Sequence, residues 1–210
     1  MKSTAMWKRV SAGVAGGALL AGVAGAAFAE EQVGDDNSVD VSVSIEDTGE
    51  GTLAMSVAGT STSLAEAESG DAAVRQFDGA LPTVTVTDTR TAEEIPEGAF
   101  WYVLGSASSF VGDAGQPEIT SDHLGWSPVL QNDDGSGNVA TGGDVDTVMD
   151  EGDGTPNDNV GLAGQELLAM ALTSESAIGS WEASADLTLK VPAETAPGAY
   201  SSTLTLSLFE

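Results

Sequence analysis

Regular alternation of apolar and polar residues near the end of the chain constrains its fold more than any other feature. From Trp181 to Val191 every second residue is apolar and the residues between them are polar or small. The same period returns from Tyr200 to Leu208. A period of two is typical of a β-strand with one face in the core and one in solvent. The stretch PAETAPGA between them predicts a connecting turn.

Earlier parts of the chain show the same period. Residues 39–46 and 53–57 alternate and flank the turn-forming sequence EDTGEG, which predicts a hairpin. WYVLGSASSF, residues 101–110, has the composition of a buried strand. LLAMAL, residues 167–172, fits a strand or a helix, and we assign it to a strand because its neighbours are strands. Because the sequence contains no convincing amphipathic helix, the predicted fold class is all-β, with a single antiparallel β-sandwich of Ig-like type.

The start of the chain has the pattern of a secretory signal peptide. Residues 1–29 combine a basic start, an apolar run rich in Ala and Gly, and the cleavage motif AFA. A membrane anchor fits less well because the run is Gly-rich and ends in that motif. We therefore predict a secreted, extracellular or cell-wall-associated protein without membrane insertion after cleavage. A flexible acidic leader is predicted over residues 30–38, and the domain over 39–210.

The net charge limits the classes of partner that this chain is expected to bind. Residues 1–29 contain three of the six basic residues and none of the 33 acidic ones, so their removal changes the net charge from −27 to −30. Arg75, Arg90 and Lys190 remain. Such a surface repels nucleic acid, which is bound through Lys and Arg, and suits solubility or cationic partners. The absence of cysteine excludes disulfides and thiolate metal sites.

An acidic, Gly-rich segment interrupts the strand pattern at residues 132–159, which contain no Lys or Arg. We expect a long loop, with a short strand near 145–149. Its start resembles a calcium-binding EF-hand loop, but Gly143 stands where the bidentate Glu is required. The weak candidates for a calcium site, the one cofactor considered, are Asp144, Asp146, Asp150 and Asp153. The alternative is a solvated acidic loop.

The stretch VTVTDTR ends in an acid and a scarce arginine. Strand parity places Asp88 and Arg90 on the same side as Val84 and Val86. Because an unpaired buried charge is costly, we expect the two to pair as a structural clamp rather than to form a ligand site. Arg90 could also reach backbone carbonyls of residues 91–99.

The three tryptophans after the signal region receive different interpretations. Trp181 begins the apolar face of the longest predicted strand and is assigned to the core. Trp101 is either a core residue or an exposed platform for glycan, with Tyr102 on the opposite face of the strand. Trp126 is placed in a loop, HLGWSP, together with His123, whose expected role there is packing.

The residue inventory argues against an enzyme. The chain has one histidine, no cysteine and no nucleophile elbow, and no pair among its scattered acids is distinguished. The leading hypothesis is a non-enzymatic binding protein. One alternative is a structural subunit that assembles through β-strand edges, and another is a weak calcium-binding surface module.

Several of these motifs together resemble a known family. VTVTDTR, followed by Trp101 and its neighbours and then Phe110, and the closing pair DLTLKVPAETAPGAY and SSTLTLSLFE, resemble the WxL-domain surface proteins of Gram-positive bacteria. The resemblance covers residues 39–210, and the WYVLG block with the LSLFE ending is similar to an actinobacterial secreted branch. Val103 stands where the first WxL motif has Leu, and the second motif lacks its Trp.

The resemblance implies a β-sandwich that attaches non-covalently to peptidoglycan or to other cell-surface proteins. The candidate contact residues that it implies are Trp101, Tyr102, Val103 and Leu104.

Overall fold

The computed structural model of the protein describes residues 49–152 and 159–210. The strands are β1 (Leu53–Val57), β2 (Ala65–Ala67), β3 (Val74–Ala80), β4 (Val84–Asp88), β5 (Tyr102–Ala107), β6 (Val111–Gly112), β7 (Leu124–Leu130), β8 (Val139–Thr141), β9 (Glu166–Ala171), β10 (Gly179–Pro192), β11 (Tyr200–Ser201) and β12 (Leu204–Phe209). The helical segments are short 3-10 turns at Ser121–His123, Gly161–Ala163 and Ser174–Ser176. The predicted all-β class is confirmed. In this part of the chain, no helix has the length and apolar character needed to cross a membrane.

The first sheet is built around β10, which has 14 residues. Residues 186–192 of β10 pair with β3 and residues 179–183 pair with β4, both on one edge. The opposite edge of β10 pairs with β7, while β1 and β2 lie outside β4 and β3. All of these pairings are antiparallel. Because β10 is long, it pairs directly with β3, β4 and β7, and the whole sheet contains six strands.

The second sheet has the order β12-β5-β9-β8 and is also antiparallel. LLAMAL lies in β9, so its assignment as a strand is confirmed. The strand predicted from residue 200 to 208 is divided in two. Tyr200–Ser201 pair with β6, whereas the chain from Leu204 onward pairs with β5. The change of partner at residues 202–203 interrupts the strand.

The core lies between the two sheets. In β10 the apolar residues predicted to face inward are all buried: Trp181, Ala183, Ala185, Leu187, Leu189 and Val191. A small internal space lies between the two sheets. It is lined by Val86 and Trp181 of the first sheet and by Val103 and Leu168 of the second. The indole Nε1 of Trp181 donates to the Ala177 carbonyl at 2.9 Å. The core role predicted for Trp181 agrees with this position.

Trp126 is not in a loop, as the sequence suggested, but in β7. The LGWSP part of this stretch forms a strand because its backbone pairs with β10, whereas His123 ends a 3-10 turn. The Trp126 side chain is buried. The ring needs the glycine at position 105, since a Cβ there would lie 2.4 Å from Trp126 Cη2. Pro128 and Gly125, which suggest a loop locally, are tolerated within this strand.

The acidic segment contributes to the fold more than predicted. It contains β8, an edge strand of the second sheet, and Val145 forms an isolated bridge with Trp126. Val139, Val145 and Thr147 are buried. In place of the expected strand near 145–149, the segment forms β8 and a single bridge. Its buried side chains cover part of the core. Residues 153–158 lie outside the described part.

Three predictions concern residues that also lie outside the described ranges. They are the signal peptide over 1–29, the acidic leader over 30–38, and the first strand of the hairpin over 39–46. The second strand of that hairpin, 53–57, is β1.

Candidate functional site: a neutral aromatic sheet face

The four candidate contact residues divide between the core and the surface. Trp101 and Val103 are each 1% exposed, whereas Tyr102 and Leu104 point to the other side of β5 and are partly exposed. The alternative of an exposed Trp101 platform is therefore wrong, and so is a contact role for Val103. Strand alternation turns both toward the first sheet. Of the four, only Tyr102 and Leu104 lie where a partner could touch them.

Two phenylalanines join Tyr102 at the surface. The rings of Tyr102 and Phe209 are stacked, with centroids 5.2 Å apart and an interplanar angle of 17°. Phe100 also lies beside Tyr102, with centroids 5.9 Å apart and an interplanar angle of 33°. Phe100 is 43% exposed and Phe209 is 38% exposed. We call these three residues the aromatic platform.

Sheet register explains how the platform forms. Phe209 is directly opposite Tyr102 in the β12–β5 pair, so their side chains leave the sheet on the same face. Phe100 precedes Tyr102 by two residues and shares its parity. The candidate contact residues that the resemblance implies at WYVL include Tyr102 but neither phenylalanine. The parity of Phe100 was visible in the sequence, whereas the neighbour relation of Phe209 depends on which strand pairs with β5.

The strand residues that share the face of the platform carry no charge. We call it the outer face of the second sheet, and its members are Tyr102, Leu104, Ser106, Leu167, Met170, Thr205, Ser207 and Phe209. All are aromatic, aliphatic or hydroxylic. The chain carries 33 acidic residues, yet none of them is among these eight.

Asp88 and Arg90 form the contact that the sequence predicted. Asp88 is 1% exposed at the end of β4. Arg90 Nε lies 2.9 Å from Asp88 Oδ1, and Arg90 Nη2 lies 2.7 Å from Asp88 Oδ2, a bidentate geometry. The backbone N–H of Arg90 also donates to Asp88 Oδ1 at 3.1 Å. The buried carboxylate is therefore matched by the planar fork of one guanidinium.

The sequence missed the second partner of Arg90. Its Nη1 and Nη2 donate to the two carboxylate oxygens of Glu210 at 2.7 and 2.6 Å. Backbone carbonyls of residues 91–99 were the further partner considered from the sequence. Ser174, which is fully buried, donates to Glu210 Oε1 at 2.8 Å. We call Asp88, Arg90, Glu210 and Ser174 the ionic network. It links β4 of the first sheet to the end of β12 in the second.

The network shifts the ionisation of its members. Hydrogen bonds to Asp88 and Glu210 raise the pKa of Arg90. The hydrogen bond from Arg90 lowers the pKa of Glu210, against the opposing effect of partial burial, and Ser174 lowers it further. The negative charge that follows Phe209 in the chain is thus paired with Arg90.

The weak calcium candidates do not converge. Asp150 accepts hydrogen bonds from Thr147 and pairs with Lys190. Burial opposes its ionisation, but the hydrogen bonds from Lys190 and Thr147 outweigh this effect and lower the pKa of Asp150. Asp144 and Asp146 are exposed, and Asp153 lies outside the described residues. Over 49–152 and 159–210, no group of three or more His, Asp or Glu side chains is arranged to hold a metal ion.

Comparison with known proteins gives little further information. No family model matches the sequence, and no curated protein matches it. Among solved structures, the chain is similar to a family 123 glycoside hydrolase from Clostridium perfringens that was studied for glycolipid glycan hydrolysis. The identity is 17%, the TM-score is 0.31, and the match covers 65% of this chain and 18% of the hydrolase.

Proposed function

We propose that this protein is a secreted, non-enzymatic binding protein of the cell surface that contacts the glycan of peptidoglycan through the aromatic platform. The observation that carries the proposal is the group of three neighbouring rings, two exposed and one partly exposed, on the uncharged outer face of the second sheet. Secretion rests on the signal-peptide pattern of residues 1–29. The resemblance of the WYVL region to WxL-domain proteins supports the same assignment.

The chemistry of the face suits a neutral polymer with apolar C–H surfaces. Aromatic side chains present flat, rigid contact area at a low entropic cost, and a hydroxyl such as that of Tyr102 adds a polar handle. Ser106, Thr205 and Ser207 supply further hydroxyl groups beside the rings. A sugar ring stacked on Phe209 or Phe100 would meet no carboxylate of the outer face.

A second candidate function is self-assembly through β12, and a specific observation favours it. β12 is an edge strand of the second sheet among the described residues. The Ser108 N–H donates to the Thr203 carbonyl, so the alternating ladder turns the backbone groups of Leu204, Leu206 and Leu208 away from β5. Residues 204–209, LTLSLF, contain no charge or proline, the usual protections of an edge. Two copies could pair antiparallel along this edge.

One experiment separates the two functions. The mature chain is pelleted with purified peptidoglycan over a range of wall concentrations, and its mass is measured by light scattering at the same protein concentrations. We expect a monomer that pellets with the wall. Substitution of Phe100→Ser together with Phe209→Ser removes two of the three rings and should weaken binding about tenfold, the equivalent of roughly 1.4 kcal/mol.

A matched control is the double variant Val111→Ser and Val129→Ser, which removes exposed apolar side chains of 53% and 43% exposure from other strands. It should bind like the unaltered protein. Equal binding by the phenylalanine variant and the control would contradict the role of the platform. Concentration-dependent oligomers without wall binding would contradict the wall function and support assembly through β12.

A further inference from the structure

β12 has one paired edge and one free edge in the described part of the chain. It is the outermost strand of the second sheet and pairs there with β5 alone. Because the Ser108 N–H donates to the Thr203 carbonyl, the odd-numbered residues of the strand bond to β5. The backbone N–H and C=O groups of Leu204, Leu206 and Leu208 therefore point outward, and none of the described residues pairs with them. This edge offers donors and acceptors to a further strand.

The side chains of β12 fit a second copy of the same strand. Leu204, Leu206 and Leu208 pack against the core, whereas Thr205 and Ser207 lie on the outer face. In an antiparallel pair of such edges, residues with free backbone groups bond to each other, which places leucine opposite leucine and hydroxyl opposite hydroxyl. The strand contains no charged residue, so no like charges meet across the pair. This self-complementarity identifies a second copy as the partner strand.

One register engages every free group of the edge. In it, Leu206 pairs with Leu206 of the second copy, and Leu204 of each copy pairs with Leu208 of the other. A shift by two residues would leave one of the three leucines without a partner inside the strand. The centred register has a twofold axis perpendicular to the sheet, so it forms a closed pair of copies rather than an open chain.

This pairing would place two aromatic platforms on the same side of one continuous sheet. Residues that are directly opposite each other in an antiparallel pair have their side chains on the same face. Thr205 and Ser207 of both copies therefore face the same side, and the two outer faces join. Phe209 of each copy lies opposite Thr203 of the other, which separates the two phenylalanines by roughly 20 Å along the strand direction.

Free copies are not expected to pair through so small a contact. Stable interfaces bury about 1,200–2,000 Å² in total, and the edge of a six-residue strand is too short to reach this area. The net charge of −27 also makes two copies repel each other in solution. A polymer that holds two copies side by side offsets both effects, because it raises the effective concentration of the second edge.

We propose that copies bound to peptidoglycan pair through β12, so that two aromatic platforms on one joined face contact the same wall polymer. The inference rests on the proposed function and adds its partner, a second copy of this chain. The free protein is a monomer, and the pair forms on the wall. Binding to the wall is therefore cooperative, since each bound copy presents an edge to the next.

The shape of the binding isotherm tests this pairing. Increasing amounts of the mature protein are pelleted with a fixed amount of purified peptidoglycan, at concentrations where light scattering gives a monomer. We expect a sigmoidal isotherm with a Hill coefficient of roughly 1.5–2, close to the limit for a pair of sites. A soluble disaccharide-peptide fragment of the same wall is too short to reach two platforms roughly 20 Å apart and should bind without cooperativity.

Two variants of Leu206 separate strand pairing from side-chain packing. The N–H of Leu206 points away from β5, so Leu206→Pro keeps the ladder with β5 and removes a donor at the centre of the pair between copies. Leu206→Ala also loses the leucine side chain but keeps this donor. The proline variant should bind the wall with a Hill coefficient of about 1 and a several-fold higher half-saturation concentration, whereas the alanine variant should remain cooperative.

The outcomes distinguish this inference from the function on which it rests. A hyperbolic isotherm of the unaltered protein would overturn the pairing and leave the glycan contact standing. Equal cooperativity in the two Leu206 variants would overturn the role of β12. Failure of the unaltered protein to pellet with the wall would contradict the proposed function itself, and pairing on the wall with it.

Discussion

Arg90 shows how one residue can hold two sheets together. Its guanidinium binds the buried Asp88 on one side and Glu210 on the other, both in bidentate geometry. Its side chain is 11% exposed and that of Asp88 is 0% exposed. Pairs screened from solvent in this way are weakened little by salt, but the loss of one partner leaves a buried charge without compensation.

Replacement of Arg90 is therefore expected to destabilise the fold strongly. Arg90→Ala should reduce the free energy of unfolding by about 3–5 kcal/mol, because Asp88 would remain buried and unpaired. Arg90→Lys should recover only part of this, since an ammonium group cannot make both bidentate contacts. Chemical denaturation of the variants measures the change.

Arg75 provides the matched control. It pairs with Glu66, but the two side chains are 37% and 56% exposed. Solvent screens an exposed pair, which therefore contributes little, so Arg75→Ala should have a small effect on stability. Similar losses of stability in Arg75→Ala and Arg90→Ala would contradict the clamp.

At the level of the strand, β12 is fastened at its end by the ionic network. Glu210 follows the last residue of β12, and its contacts with Arg90 and Ser174 hold Phe209 beside Tyr102. The pKa of Glu210 is lower in the folded state because Arg90 stabilises the carboxylate. A lowered pKa contributes stability that is present above the unfolded value and is lost as the pH falls through the folded value.

The pH dependence of this contribution is measurable by difference. We expect the unaltered protein to melt at a higher temperature than Glu210→Gln at pH 7, and the gap to close as the pH falls below the ordinary glutamate range, where the carboxylate becomes protonated in both states. Because the other titrating groups are shared, the difference isolates Glu210. A gap that persists unchanged at pH 3 would contradict the ionic contribution.

Some elements of the fold can be predicted from the local sequence pattern, whereas others depend on which strands pair with each other. The inward positions of β10 and the buried position of Asp88 followed from alternation, which is a property of each strand alone. Trp126 did not, because Gly125 and Pro128 suggest a loop and only pairing with β10 makes a strand of this segment. Phe209 and Glu210 were missed for the same reason. Their partners, Tyr102 and Arg90, are distant in sequence, and no local signal identifies them.

At the scale of the whole molecule, charge is segregated. Acidic residues are abundant on the protein, yet the outer face of the second sheet is neutral and the carboxylate next to it is paired with Arg90. A surface of one sign repels itself, which opposes the compact state, and dissolved salt screens that repulsion. A neutral face within such a surface is what a ligand without charge would require.

Salt is therefore expected to stabilise this protein. An increase in NaCl from about 10 mM to about 500 mM shortens the Debye length from roughly 30 Å to a few ångströms, so the melting temperature should rise by several degrees.

Calcium chloride and magnesium chloride at equal ionic strength should raise the melting temperature equally, because Asp150 is engaged by Lys190 and Thr147. A larger rise with millimolar calcium than with magnesium would contradict this and support a calcium site in the acidic segment. A melting temperature that falls with NaCl would show that attractive ion pairs outweigh the repulsion.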